Sequence, residues 1–435
     1  MALLLRSLCE VIPPLKYDFG EVIRSYRMKI LVLHSQLGVL QGGGETFTKN
    51  LFAAFAARGH NVSAAFVADR CGRWLFPLPT CIEPIPIAGW WSSDLGQATL
   101  SSISRYLPGE SQFKKLWDRI QSGITWRIFR WHNRRFQRRV ERDLAGRWND
   151  FDAIYVQSNV RLAGEIAGQH PTVLMLPGPV SADLLPILRT IPAVCAHDDG
   201  FVQMQAILGD KVLELPLGLD TSIFLPGPTS IRSNLGWTDR QRVIGYVGRL
   251  HAIKGVDLLA AAFRQLWRNN PDARLLIVGN GEEKGAICST LSEEVARGIV
   301  HIEPAMPQEQ LPAWYRAMDL MVMPSRYETM SNAVLEAMAC GIPFVASNVG
   351  GNTILGRTGA GWLFDSGSAS SLGARLIELL TNGSELKARG ELGLKYVVKS
   401  RNWAATAERL ESIICKVLQQ DKYSTRSKGV SAIGL

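Results

Sequence analysis

At 435 residues, with 46% hydrophobic and 20% charged residues and 40 glycines, the chain has the composition of a globular protein too long for one ordinary core. No apolar run approaches the roughly 20 residues a membrane span needs, which excludes an integral helical membrane protein. Seven scattered cysteines without a C-x-x-C pair exclude a disulfide scaffold and a structural zinc site, and point to reduced thiols and a cytoplasmic setting.

Residues 1–27 show no period and read as an N-terminal extension; Met28, itself a candidate start, opens the first clear element. Lys29–His34 reads as a buried parallel strand. It leads through Gly42, Gly43 and Gly44 into an amphipathic helix over Thr46–Arg58. Strand, glycine loop and helix N-terminus is the order an anion site needs, although the glycines are consecutive rather than spaced G-x-G-x-x-G. A tight turn between strand and helix would look the same.

Asn61–Val67 is the second strand, followed by a segment rich in Pro and Trp that reads as irregular. Strands resume at Phe151–Gln157, Thr172–Leu176, Ile191–Cys195 and Val212–Asp220. The alternation predicts a doubly wound parallel sheet over residues 28–224. Leu225 to Arg242, with Pro226, Gly227 and Pro228, reads as a linker. A second α/β series covers 225–400, with strands at Val243–Val247, Arg274–Val278, Gly298–Ile302, Asp319–Met323 and Pro343–Ser347; residues 401–435 read as a C-terminal helix and tail. The expected fold is therefore two Rossmann-like α/β domains facing each other across a cleft.

Positive charge is concentrated between Phe113 and Arg147, where eleven Lys or Arg stand against three acids. Trp117, Trp126, Phe129 and Trp131 interleave with the cations, and Leu116, Ile120, Ile124 and Ile128 recur every four residues. This is the pattern of a basic amphipathic helix, which either lies on an anionic membrane surface or packs its stripe on the domain. No nucleic-acid reading motif accompanies it.

The chemistry-bearing residues cluster in the second half. Gly248, Arg249 and Lys254 follow its first strand, Gly279 and Gly281 its second, and Glu328 and Glu336 its fourth. Arg supplies a planar fork and Lys a point charge, as a diphosphate requires. Two carboxylates suit the hydroxyls of a sugar and a ribose, although a cap and a solvated helical Glu would read alike. Ser331 or Asn332 would cap the helix that carries Glu336.

These residues, with Pro216–Asp220 and the run Ala337–Pro343 that continues into Gly350 and Gly351, resemble the retaining glycosyltransferases of the GT-B fold, family four. The resemblance covers 28 to about 420. It implies catalytic roles for Arg249, Lys254 and Glu328. Arg249 and Lys254 would hold the donor diphosphate, Glu336 the ribose and Glu328 the transferred sugar. Gly43, Gly44, Gly248, Gly279, Gly281, Ser331 and Asn332 would line the donor site. It further implies no cofactor and no metal, a UDP- or GDP-sugar donor, and front-face attack on the anomeric carbon. The acceptor would be a glycan or lipid-linked molecule, and the protein peripheral on the inner membrane face.

The sequence departs from the family pattern at Met175–Pro179, where a His is common, at Leu217, where Asn is usual, and at Ile354, near which an acid is common. A non-catalytic scaffold, a nucleotide-sugar epimerase and a phosphorylase share the fold. The missing G-x-G-x-x-G in both halves argues against a dehydrogenase.

Overall fold

A computed structural model describes residues 27–37, 43–69, 73–88, 133–178, 180–380 and 382–430. All of the extension 1–27 but Arg27, the glycine Gly42 and the basic stretch 113–132 lie outside them.

The first domain is a seven-stranded, all-parallel sheet in the order β3-β2-β1-β4-β5-β6-β7. Its strands are β1 (Lys29–Leu33), β2 (Asn61–Ala68), β3 (Ile82–Ala88), β4 (Ala153–Gln157), β5 (Thr172–Leu176), β6 (Ala193–Ala196) and β7 (Val212–Glu214). Both faces are covered, so β1 is an apolar run: Ile30 and Val32 enter one core, Leu31 and Leu33 the other.

β3 corrects the expectation of an irregular segment after β2. Pro84 and Pro86 lie in register opposite Ala64 and Phe66 at the sheet's edge. A proline that cannot donate to a ladder is tolerated there because the open side has no partner.

The second domain is a six-stranded parallel sheet, β10-β9-β8-β11-β12-β13. It comprises β8 (Arg242–Val247), β9 (Ala273–Val278), β10 (Val300–Glu303), β11 (Leu320–Met323), β12 (Phe344–Ser347) and β13 (Gly361–Phe364). Leu219 and Phe224 already belong to its core. The proline-rich segment read as a linker is bound to this domain: the Trp237 indole donates to the Gly298 carbonyl at 2.9 Å, and Arg232 pairs with Asp319 at 2.8 Å.

The chain crosses between domains twice, side by side. The Leu219 amide donates to the Arg401 carbonyl at 2.6 Å, and a Cβ on Gly218 would meet the Trp403 ring at 2.6 Å. After the second crossing, the helix Trp403–Val430 returns to the first domain. There Leu410, Ile413, Ile414 and Val417 pack with Phe47, Leu51 and Phe55 of the helix Gly43–Ala57. The first core is thus completed by the C-terminal helix.

Of the basic segment, a helix over 133–143 is described. Phe136, Val140 and Leu144 are buried in the first domain, while Arg134, Arg135 and Arg138 are exposed. The three apolar residues belong to the core, while the stripe Leu116, Ile120, Ile124 and Ile128 lies outside the described residues. Among the described residues no helix is long and apolar enough to cross a membrane.

Candidate active site

In each sheet the strand order reverses once, between β1 and β4 and between β8 and β11. Chains leave the sheet in opposite directions at such a point, opening a crevice at the strands' carboxyl ends. The carboxyl edges of the two sheets face each other. The helix Gly350–Gly356 follows β12, and its first residue lies against Asp199, which follows β6.

At the second crevice the loops after β8 and β9 meet backbone to backbone. Gly248 N–H donates to the Val278 carbonyl at 3.0 Å and Leu250 N–H to the Asn280 carbonyl at 2.9 Å. A Cβ at Gly279 would lie 1.9 Å from the Gly248 oxygen, and one at Gly281 2.1 Å from the Leu250 oxygen. Glycine is the residue that permits this approach.

Lys254 ends a short turn closed by Gly255, whose φ of +64° lies in the left-handed region. Its ammonium reaches across to the loop after β11, 2.6 Å from Glu328 Oε2; the Ser325 hydroxyl donates to the same oxygen at 3.2 Å. Arg326 locks the two loops together. Its amide donates to the Ile253 carbonyl at 2.8 Å, and its guanidinium forks onto Asp257 at 2.8 and 2.7 Å, holding that carboxyl below its ordinary value. From the other side, Gly351 N–H donates to the Glu328 carbonyl at 3.1 Å.

Ser331 is the cap of the helix Asn332–Ala339, its hydroxyl accepting from Val334 N–H at 3.3 Å, while Asn332 is exposed. Glu336, one turn in, is buried. Its Oε2 accepts from the Tyr315 hydroxyl at 2.7 Å and its Oε1 from Gln308 Nε2 at 3.4 Å. Burial pushes its carboxyl up from the ordinary value, and the Tyr315 hydrogen bond pulls it partly back. Arg249 is exposed, and nothing among the described residues forms an ion pair with it.

Lys254 and Glu328 are therefore in contact, whereas Glu336 has its own partners and Arg249 is exposed, with no ion pair among the described residues. Ser325, Tyr315 and Gln308 escape a reading of the sequence. Tyr315 and Gln308 stand 21 and 28 residues from Glu336, and no periodicity links them.

Gly43 and Gly44 lie in the opposite domain, in the first turn of the helix Gly43–Ala57. A cavity of about 360 Å³ opens there at the β1–β4 crevice, lined by His34, Gly44, Glu45, Asn133, Gln157 and Ser158 among others. His34 Nε2 lies 3.5 Å from Glu45 Oε1. His170 stacks on Trp148 and His197 lies beside Phe47, so both rings pack in the first domain. Among the described residues no group of three or more His, Cys, Asp or Glu is placed to hold a metal.

Two parallel α/β domains with facing crevices define the GT-B architecture, and comparison with known proteins agrees. Residues 241–382, within the second domain, match the family described as Glycosyl transferases group 1. D-inositol 3-phosphate glycosyltransferase of Segniliparus rotundus is 34% identical over 206 residues, 46% of this chain and 46% of its own. The GDP-mannose-dependent monoacylated alpha-(1-6)-phosphatidylinositol monomannoside mannosyltransferase of Corynebacterium glutamicum is 31% identical over 211 residues, 46% of this chain and 55% of its own. The chain thus spans about half the length of the curated relatives it matches. Among solved structures, sucrose-phosphate synthase of Thermosynechococcus elongatus superposes with a TM-score of 0.66 at 20% identity, covering 91% of this chain and 100% of that one. Anabaena HepE in complex with UDP and glucose gives a TM-score of 0.55 at 17% identity over 92% of this chain and 100% of that one. At these identities the likeness is one of fold.

Proposed function

We propose that the chain is a retaining, metal-independent glycosyltransferase. It would move a hexosyl or N-acetylhexosaminyl group from a UDP- or GDP-sugar to a glycan or lipid-linked acceptor. The observation that carries this reading is the Lys254–Glu328 contact at the second crevice: a cation and a carboxylate at the switch point, with Glu336 buried nearby. Arg249 and Lys254 take the diphosphate, Glu336 takes the ribose hydroxyls and Glu328 faces the sugar. Gly248, Gly279, Gly281 and the capped turn at Ser331 form the floor of the site.

In the transfer, the acceptor oxygen bonds to the anomeric carbon as the bond from that carbon to the phosphate oxygen breaks. The bonding pair leaves with the diphosphate, which also takes the acceptor's proton. The chain's contribution is to stabilise the charge on the departing diphosphate and to position the acceptor. The family match falls at residues 241–382, in the second domain, and one relative is named as GDP-mannose-dependent, which supports a nucleotide-sugar donor site there.

A screen of UDP- and GDP-sugars for thermal stabilisation, followed by donor hydrolysis with the best of them, tests the reading. Stabilisation by one nucleotide sugar with slow hydrolysis is expected. A chain stabilised by none of them is not a transferase of this kind, and one stabilised without turnover is the scaffold.

The exposed Arg134, Arg135 and Arg138 support a peripheral contact of the first domain with anionic lipid, worth about 1 kcal/mol per cation near the surface. Binding to phosphatidylserine vesicles that is unchanged after reversing these charges would sink it.

A further inference from the structure

The first-domain cavity differs in chemistry from the second-domain crevice. Its walls carry Glu45, the ring of His34, the amides of Gln36, Asn133 and Gln157, and the hydroxyls of Ser35 and Ser158. Among the described residues no Lys or Arg lines it. A helix N-terminus attracts anions, and that of Gly43–Ala57 opens here. Its own first-turn carboxylate, Glu45, already occupies the position, buried and 3.5 Å from His34 Nε2. The other nitrogen of the His34 ring, Nδ1, is buried without a hydrogen-bond partner.

Gln157 is presented for neutral recognition. Its Oε1 accepts from the Tyr155 hydroxyl at 2.8 Å, which fixes the amide, and its Nε2 turns to the Ser158 hydroxyl at 3.3 Å. Ser158 itself holds a φ of +59°, a conformation that non-glycine residues adopt at a cost of about 1–3 kcal/mol when surroundings impose it.

We infer that this cavity takes the accepting end of the acceptor as an uncharged, hydroxyl-rich ring, a sugar or polyol, and discriminates against a phosphomonoester at that ring. The inference rests on the glycosyltransferase reading and deepens it by naming the acceptor's class. It separates this chain from relatives named for D-inositol 3-phosphate. A phosphate dianion brought to this wall meets a buried carboxylate, and like charges at close range disfavour binding strongly. Hydroxyls of a neutral ring instead find amide, hydroxyl and carboxylate partners, with Glu45 accepting.

The test uses the full chain saturated with UDP or GDP and saturation-transfer NMR with three matched pairs. These are myo-inositol and D-inositol 3-phosphate, glucose and glucose 6-phosphate, and N-acetylglucosamine and N-acetylglucosamine 6-phosphate. At least one neutral compound is expected to bind, with its phosphate ester at least ~10-fold weaker. Glu45→Gln should narrow that gap, and Gln157→Leu should weaken the neutral compound several-fold. A phosphate ester that binds as tightly as its parent, or a panel in which no neutral compound binds, overturns the inference. So does neutral binding unchanged in both variants. Nucleotide binding is read in the same samples, and its failure in the wild-type chain refutes the donor reading; a urea midpoint close to wild type in each variant shows that the variant is folded.

Discussion

Lys254 Nζ lies 2.6 Å from Glu328 Oε2, so the cation that would meet a donor diphosphate is already matched by a carboxylate of the chain itself. The two side chains are 19% and 8% exposed, which places the pair at the edge of solvent rather than in the core. A diphosphate must therefore share Lys254 with Glu328. Glu328→Gln should raise affinity for the bare nucleoside diphosphate several-fold and lower transfer by about 10²–10³-fold, the usual cost of losing one preorganised electrostatic group. Lys254→Ala should weaken nucleotide binding and abolish measurable transfer without unfolding the chain. Calorimetry with UDP and GDP, beside turnover of the best donor, reads both; full activity in Lys254→Ala would refute the site.

Glu336 makes the second prediction one of pH. Burial raises its carboxyl above the ordinary 4.5, so between that value and the raised one the folded chain keeps a proton the unfolded chain has released. Stability from this group is greatest at acid pH and falls as pH rises through that window. Nucleotide affinity should move the opposite way, weakening as pH drops and the carboxylate that accepts ribose hydroxyls becomes protonated. In Glu336→Gln this acid-side change in affinity should disappear, with affinity low throughout. Tyr315→Phe removes the 2.7 Å hydrogen bond and should cost about 1–3 kcal/mol, because a buried acceptor loses its partner. Its midpoint for nucleotide binding should shift to higher pH. A pH profile for Tyr315→Phe identical to wild type would show that Tyr315 does not hold Glu336.

Gly255 sets the height of the Lys254 turn. Its φ is +64°, and an added Cβ would lie 2.0 Å from the Pro324 carbonyl oxygen at the end of β11. Gly255→Ala combines left-handed strain with a backbone clash and should cost about 2–4 kcal/mol, seen as a lower midpoint in urea. The clash pushes apart the loops that carry Lys254 and Glu328, so nucleotide binding should fall as well. Gly298, also at positive φ but with open space around its Cβ position, is the control: Gly298→Ala should cost about 1–2 kcal/mol and leave nucleotide binding unchanged.

Most of both sheets is legible in the sequence because a parallel strand buried on both faces is an apolar run, as β1, β5 and β11 are. β3 is not legible: Pro84 and Pro86 disqualify it by the ordinary rule, and its place at the edge becomes known from the assembled sheet alone. The return of the C-terminal helix is hidden for another reason. Glu411 meets Arg58 across 353 residues, and an amphipathic pattern says which face is buried without saying against what. At the candidate site, glycines and charges in loops after strands are visible because such loops share one edge of the sheet. The contact of Lys254 with Glu328 follows from β8 and β11 being neighbours, which the order of the strands in the chain does not dictate. Tyr315 and Gln308 look in the sequence like any helix-flanking residues.

Asp198 and Arg401 form a buried ion pair that ties the first domain to the point where the chain crosses back. Asp198 opens the helix Asp198–Leu208 after β6 at a φ of +55° and is 1% exposed. Arg401 is 3% exposed; it also donates to the Tyr396 hydroxyl at 2.7 Å, and its carbonyl accepts from Leu219 N–H at the other crossing. Removing one partner of such a pair leaves an uncompensated charge, so Arg401→Met should cost about 3–5 kcal/mol. Asp198→Asn and Asp198→Ala separate charge from backbone. Both lose the charge, but Asn tolerates the left-handed region and Ala does not, so Ala should be the less stable by about 1 kcal/mol. Because the pair sits where the domains are joined, the loss should appear as earlier unfolding of the whole chain, with nucleotide binding by the folded fraction intact. Urea titrations of the three variants decide it: midpoints equal to wild type would mean that the crossing is held by the Leu219 and Trp403 contacts alone.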